Sequence, residues 1–109
     1  MPALYISTNV NLDGRDLQPV FSNAITALAS IIGRPEKNVM VVVKGSVAIS
    51  FYGTEEPAAF AELLSMGGIN GDVKRKLIST IGAILDRHLS IPTTRFFCHV
   101  VDVKSYSKL

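Results

Sequence analysis

Pro35-Glu36-Lys37-Asn38-Val39-Met40-Val41-Val42-Val43 is a proline followed, four positions on, by an unbroken apolar run. The pattern returns after 57 residues, where Pro92 precedes by the same four positions the run that opens at Phe96. The same shift superposes Phe21 on Ile78, Ala24 on Ile81, Ala27 on Ile84, Leu28 on Leu85 and Ile32 on Leu89. One structural unit is therefore present twice.

Working outward from the first copy, Leu4 to Val10 reads as a strand, and Val20 or Phe21 through Ile32 carries apolar residues at helical spacing (Phe21, Ile25, Leu28, Ile32). Asp16 and Pro19 are start signals for that helix, Gly33 ends it, and Pro35 forbids its continuation. Five apolar residues in a row, Val39 to Val43, predict a strand buried on both faces, as in the middle of a parallel sheet. In the second copy Asp72 opens a helix carrying Val73, Leu77, Ile81, Ile84 and Leu85, before the strand Arg95 to Val103. The segment Ala58 to Met66 favours helix on propensity, but the shift lays Ser65 on Thr8 and makes it a strand. Between the copies, Val47-Ala48-Ile49-Ser50-Phe51 alternates as a short extra strand ended by Tyr52-Gly53-Thr54.

The expected fold is α+β: two β-α-β repeats, over about residues 2–50 and 58–103, form a four-stranded sheet with two helices on one face. A chain of 109 residues has room for one domain. No third helix is left for the other sheet face, and the composition, 48% hydrophobic and 18% charged with mean hydropathy +0.33, is rich for a free monomer. Packing against further copies of the chain is the economical cover.

Composition also narrows the function. The longest apolar run, Val39 to Val43, is far below the roughly 20 residues of a membrane helix, so no membrane insertion is expected. Net charge is +2, and Lys74-Arg75-Lys76 lacks aromatic neighbours, which reads as a solvated helix face and not a nucleic-acid surface. Cys98 is the single cysteine, and His88 and His99 have no ligand partner at metal spacing, so no metal site is expected. Met1-Pro2-Ala3-Leu4 runs into polar Ser7-Thr8-Asn9 without a signal-peptide core. The sequence closes on Ser107-Lys108-Leu109, the tripeptide read by the peroxisomal import receptor, carried on an exposed tail over 104–109. Peroxisomal localisation, with a cytosolic pool, is the expectation.

Met1-Pro2, Thr8-Asn9-Val10, Gly33-Arg34-Pro35, Ser50-Phe51-Tyr52-Gly53, Glu56-Pro57 and Ser65-Met66-Gly67, in that order and spacing, resemble the macrophage migration inhibitory factor and D-dopachrome tautomerase family, especially its plant members. The resemblance runs from Pro2 to about Asp102. It implies the tautomerase fold, a homotrimer in which three sheets enclose a central channel, and cofactor-free keto–enol tautomerisation of phenylpyruvate-like aromatic keto acids with Pro2 as catalytic base. The chemistry is coherent: removing Met1 turns an amide nitrogen into a secondary amine. An α-amino group has a reference pKa of about 7.7–8.0, and an apolar pocket with a nearby cation keeps it neutral and able to accept a proton beside a carbonyl.

The resemblance extends to substrate-binding positions. Arg34 stands where most relatives have lysine and is suited to a substrate carboxylate; it also reads as a solvated charge at a helix end. Ser65 and Met66, the latter in place of isoleucine, bring strand-end backbone donors to the pocket; Met66 reads equally as core. Phe97 and His99 replace the tyrosine and asparagine that animal relatives contribute to the neighbouring subunit's site. Phe97 can stack on an aromatic ring, and His99 can donate one hydrogen bond. Cys98, alternating between them, should face the core, and Pro57-Ala58-Ala59-Phe60 lacks the animal thiol pair. Two functions stay open: a tautomerase, favoured by Pro2 and Arg34, and a cytokine-like interaction protein with little catalysis and a cell-surface receptor as partner, favoured by Phe97 and His99.

Overall fold

The computed structural model describes residues 1–103, so the tail 104–109 with Ser107, Lys108 and Leu109 lies outside the described residues. The elements are β1 (Ala3–Thr8), α1 (Gln18–Ile32), β2 (Met40–Lys44), β3 (Ala59–Ser65), α2 (Gly71–Leu89) and β4 (Phe96–Asp102). Strand order is β2-β1-β3-β4, with β1–β2 and β3–β4 parallel and β1–β3 antiparallel. Each parallel pair is spanned by a helix, giving the two strand-helix-strand units. Register repeats with them: Ala3 opposes Met40 and Phe60 opposes Phe97, each pair displaced from the other by the same 57 positions.

Local chemistry explains the helix ends. The Asp16 carboxylate accepts the Gln18 N–H at 3.0 Å, and Gly33 closes α1 at φ 81° while its N–H donates to the Ala29 carbonyl. Asn70, two residues before the expected start at Asp72, caps α2 by accepting the Val73 N–H at 2.8 Å; an amide oxygen in extended backbone reaches the first turn, where Asp72 then sits. Pro35 and Pro92 each lead through a short 3₁₀ turn into a strand, Glu36–Asn38 before β2 and Thr93–Arg95 before β4. Residues 59–65 are strand despite their helical propensity: alternation buries Ala59, Ala61, Leu63 and Ser65 under the helices.

The core lies between the helices and one sheet face, built from Leu4, Ile6, Ala61 and Leu63 against Val20, Leu28, Leu77, Ile81 and Leu85. Gly82 lets α2 approach β4, since a Cβ there would meet the Phe96 ring at 3.2 Å. The opposite sheet face is uncovered and leaves Tyr5, Met40, Val42, Phe60 and Phe97 exposed.

Two expectations are corrected. The 39–43 run is not a central strand: β2 is at the sheet edge, and its residues alternate between half-buried and exposed. It is apolar throughout because Met40 and Val42 belong to the uncovered face. Residues 47–51 form no strand within the chain, because β1 is already flanked by β2 and β3; Val47 makes a single bond to the Thr8 carbonyl. Phe51 and Thr54 instead form an isolated bridge around Tyr52 (φ 51°) and Gly53 (φ 74°).

Candidate active site

Pro2 is fully buried where β1 begins, and its carbonyl accepts the Met40 N–H at 2.9 Å. Since Ala3 opposes Leu64 in the antiparallel ladder, Pro2 is level with Ser65. Gly33 ends α1 at the same place and delivers Arg34, whose Nη2 donates to the Met66 carbonyl at 3.0 Å and whose Nη1 lies 3.4 Å from the Gly33 carbonyl. A guanidinium carries five N–H groups, so these contacts orient Arg34 and leave it able to bind a carboxylate. Pro2, Arg34, Ser65 and Met66 are thus brought to one end of the sheet.

The turn after β3 is braced from both sides. Ser65 is buried, its hydroxyl donates to the Gly67 carbonyl at 3.1 Å, and its own carbonyl accepts the Val103 N–H at 2.8 Å. Asp102, level with Ser65 across the ladder, accepts the Gly67 N–H at 2.8 Å. Met66 is 43% exposed, so it belongs to the surface of this site and not to the core. Asp102 carries no motif of its own and is revealed by its register opposite Ser65.

Phe97 and His99 are elsewhere. Phe97 opposes Phe60, five strand positions from the level of Ser65, or roughly 17 Å at 3.3 Å per residue. Within one chain they do not meet Pro2. Both project from the uncovered sheet face, each matched by a β3 residue that sequence reasoning missed. Phe97 stacks on Phe60 with centroids 5.9 Å apart, and His99 Nδ1 lies 3.6 Å from a Glu62 carboxylate oxygen. Cys98 faces the opposite way and is half-buried; burial pushes its thiol up to about 11, with Lys74 acting weakly against that, so it is a poor nucleophile.

A third cluster centres on Arg95, which donates to the carbonyls of Phe51, Pro57, Thr54 and Glu56 at 2.9 to 3.4 Å and lies 5.4 Å from the Phe51 ring centroid. It fixes the loop that presents Tyr52, which is 83% exposed. Among the described residues, no three His, Cys, Asp or Glu side chains gather as metal ligands would, and no helix is long and apolar enough to cross a membrane.

The family model for macrophage migration inhibitory factor matches residues 1–108. The chain belongs to the macrophage migration inhibitory factor family. A homolog from Trichuris trichiura is 34% identical to this family member over 104 residues, covering 95% of this chain and 90% of that protein. The solved homologue from Prochlorococcus marinus superposes with TM-score 0.87 at 25% identity, covering 93% and 88% of the two chains. The Trichinella spiralis structure gives TM-score 0.84 at 27% identity over the same shares. Macrophage migration inhibitory factor architecture accounts for the mixed sheet with both helices on one side. Within it this member divides its candidate residues between one end of the sheet, where Pro2 and Ser65 are buried, and an exposed sheet face.

Proposed function

We propose that this protein is a cofactor-free tautomerase of phenylpyruvate-like aromatic keto acids, working as a homotrimer whose sites are completed by a neighbouring copy. The observation that carries the reading is the convergence of buried Pro2 with Arg34 at one sheet end. After loss of Met1 the Pro2 amine takes the proton from the carbon beside the carbonyl, and the C–H electron pair becomes the enol double bond. The oxygen gains a proton, and the reverse steps return the keto form with no net oxidation. Arg34 holds the carboxylate, Phe97 of a neighbour packs on the ring, and His99 supplies a polar contact. The uncovered face, with Phe60, Phe97, Tyr5 and Val42 exposed, supports assembly.

Hydroxyphenylpyruvate tautomerisation, followed spectrophotometrically on protein whose intact mass lacks Met1, tests the activity. Pro2→Gly should lower turnover by about 10²-fold or more; equal activity in that variant rejects the proline mechanism. Sedimentation equilibrium should give a trimer, and a monomer at micromolar concentration rejects the shared site. Exposed Tyr52, held at a positive-φ turn tip, favours the second reading of a cytokine-like interaction protein with a cell-surface receptor. An inactive protein free of Met1 would decide for it. Peroxisomal import through Ser107-Lys108-Leu109 is proposed alongside, wherever Leu109 carries the free carboxylate.

A further inference from the structure

We propose that Glu62 is a positioning residue for His99: it holds the ring hydrogen on Nδ1, so that the neutral imidazole offers Nε2 as a hydrogen-bond acceptor. The inference rests on the proposed function, in which His99 serves a neighbour's pocket. The two residues oppose each other in the parallel β3–β4 ladder, and their alternation points both to the uncovered face. His99 Nδ1 lies 3.6 Å from Glu62 Oε2, longer than a direct hydrogen bond but near enough for the carboxylate charge to act on that nitrogen. An ionised carboxylate only accepts, which favours a hydrogen on the nitrogen it faces; a neutral imidazole with Nδ1–H must accept at Nε2.

Neighbouring groups leave this pairing in place. Glu62 is flanked on β1 by Tyr5, whose row contains Val42 on β2, and the nearest row carries Lys44, Ser7, Phe60 and Phe97. On β4 the adjacent outward residues, Phe97 and Val101, are uncharged. His99 therefore has one charged partner on its own row, and that partner is an acid.

An acceptor at Nε2 selects a class of substrate. An aromatic keto acid with a ring hydroxyl can donate to it, whereas the unsubstituted compound cannot. One neutral hydrogen bond is worth about 0.5–1.5 kcal/mol, so the hydroxylated acid should bind roughly 2- to 12-fold more tightly.

The test uses the assembled protein without Met1. Calorimetric titration with hydroxyphenylpyruvate and with phenylpyruvate gives the affinity ratio, and ¹⁵N NMR of the His99 ring in alkaline buffer gives the tautomer. In the wild type the ratio should favour the hydroxylated acid and the spectrum should show hydrogen on Nδ1. Glu62→Gln should bring the ratio near one and move hydrogen towards Nε2, Glu62→Asp should restore part of both, and Glu62→Gln in a His99→Ala background should change the ratio no further. An unchanged ratio or an unchanged tautomer in Glu62→Gln overturns the inference while leaving the proposed function standing. Binding of neither acid overturns both.

Discussion

The Arg34 guanidinium, just past the end of α1, donates to the Met66 carbonyl at 3.0 Å across 32 positions of sequence. This bond ties the first repeat to the strand end of the second and aims a cation at the level of Pro2. Removing it takes away a charged ligand for carboxylate but no proton carrier. Arg34→Ala should raise KM for an aromatic keto acid by about tenfold or more. Its kcat should change much less, and Arg34→Lys should recover part of the loss. Steady-state kinetics at several substrate concentrations separate the two constants.

Arg95 provides a structural counterpart. Because one guanidinium bonds four carbonyls of the 51–57 loop, Arg95→Ala should release that loop while leaving the sheet intact. Hydrogen exchange should quicken at the Phe51 and Thr54 amides, which bond each other's carbonyls, and stay slow in β1 and β3.

Thr8 is fully buried; its hydroxyl donates to the Ala58 carbonyl at 2.7 Å and accepts the Val10 N–H at 3.1 Å. Thr8→Val keeps the shape and strands both partners. A loss of about 1–3 kcal/mol in urea unfolding is expected.

The Cys98 thiol is raised from 9.0 to about 11 in the folded protein by burial. The unfolded chain therefore ionises first as pH rises. The contribution to stability is complete below pH 9 and is lost as pH climbs from there through about 11. Cys98→Ala should flatten this alkaline part of the stability curve, measured by denaturant midpoints. Iodoacetamide at neutral pH should label the folded thiol more slowly than the unfolded one.

A fluorescent protein fused ahead of Met1 should enter peroxisomes, and the same fusion lacking Leu109 should remain cytosolic. Diffuse signal from the intact fusion would make Ser107-Lys108-Leu109 a tail without an address.

The duplicated proline and apolar run carried most of the fold, because a repeat reports tertiary arrangement that single-residue propensity does not. It turned the alanine- and leucine-rich stretch at 59–65 into a strand, as found. Pro2, Arg34, Ser65 and Met66 were legible from short motifs near element ends. Glu62 was not, since a lone glutamate on a strand looks like any solvated charge. Yet the repeat held the clue: Glu62 and His99 are Tyr5 and Val42 displaced by 57, and the first pair oppose each other in β1 and β2. The edge position of β2 escaped because five apolar residues look alike whether the second face meets a helix or lies uncovered. Arg95 escaped because its partners are backbone carbonyls, which have no sequence signature.

That edge has a kinetic consequence. Met40-Val41-Val42-Val43-Lys44 pairs with β1 along one side, and its β-branched valines make it a ready template for any other strand. A newly made chain therefore carries this edge open to indiscriminate strand pairing, with Lys44 the only charge along the strand to slow it. The hazard therefore grows with the rate at which open edges encounter one another. Loss of that one charge, as in Lys44→Val, would register first as precipitate during synthesis.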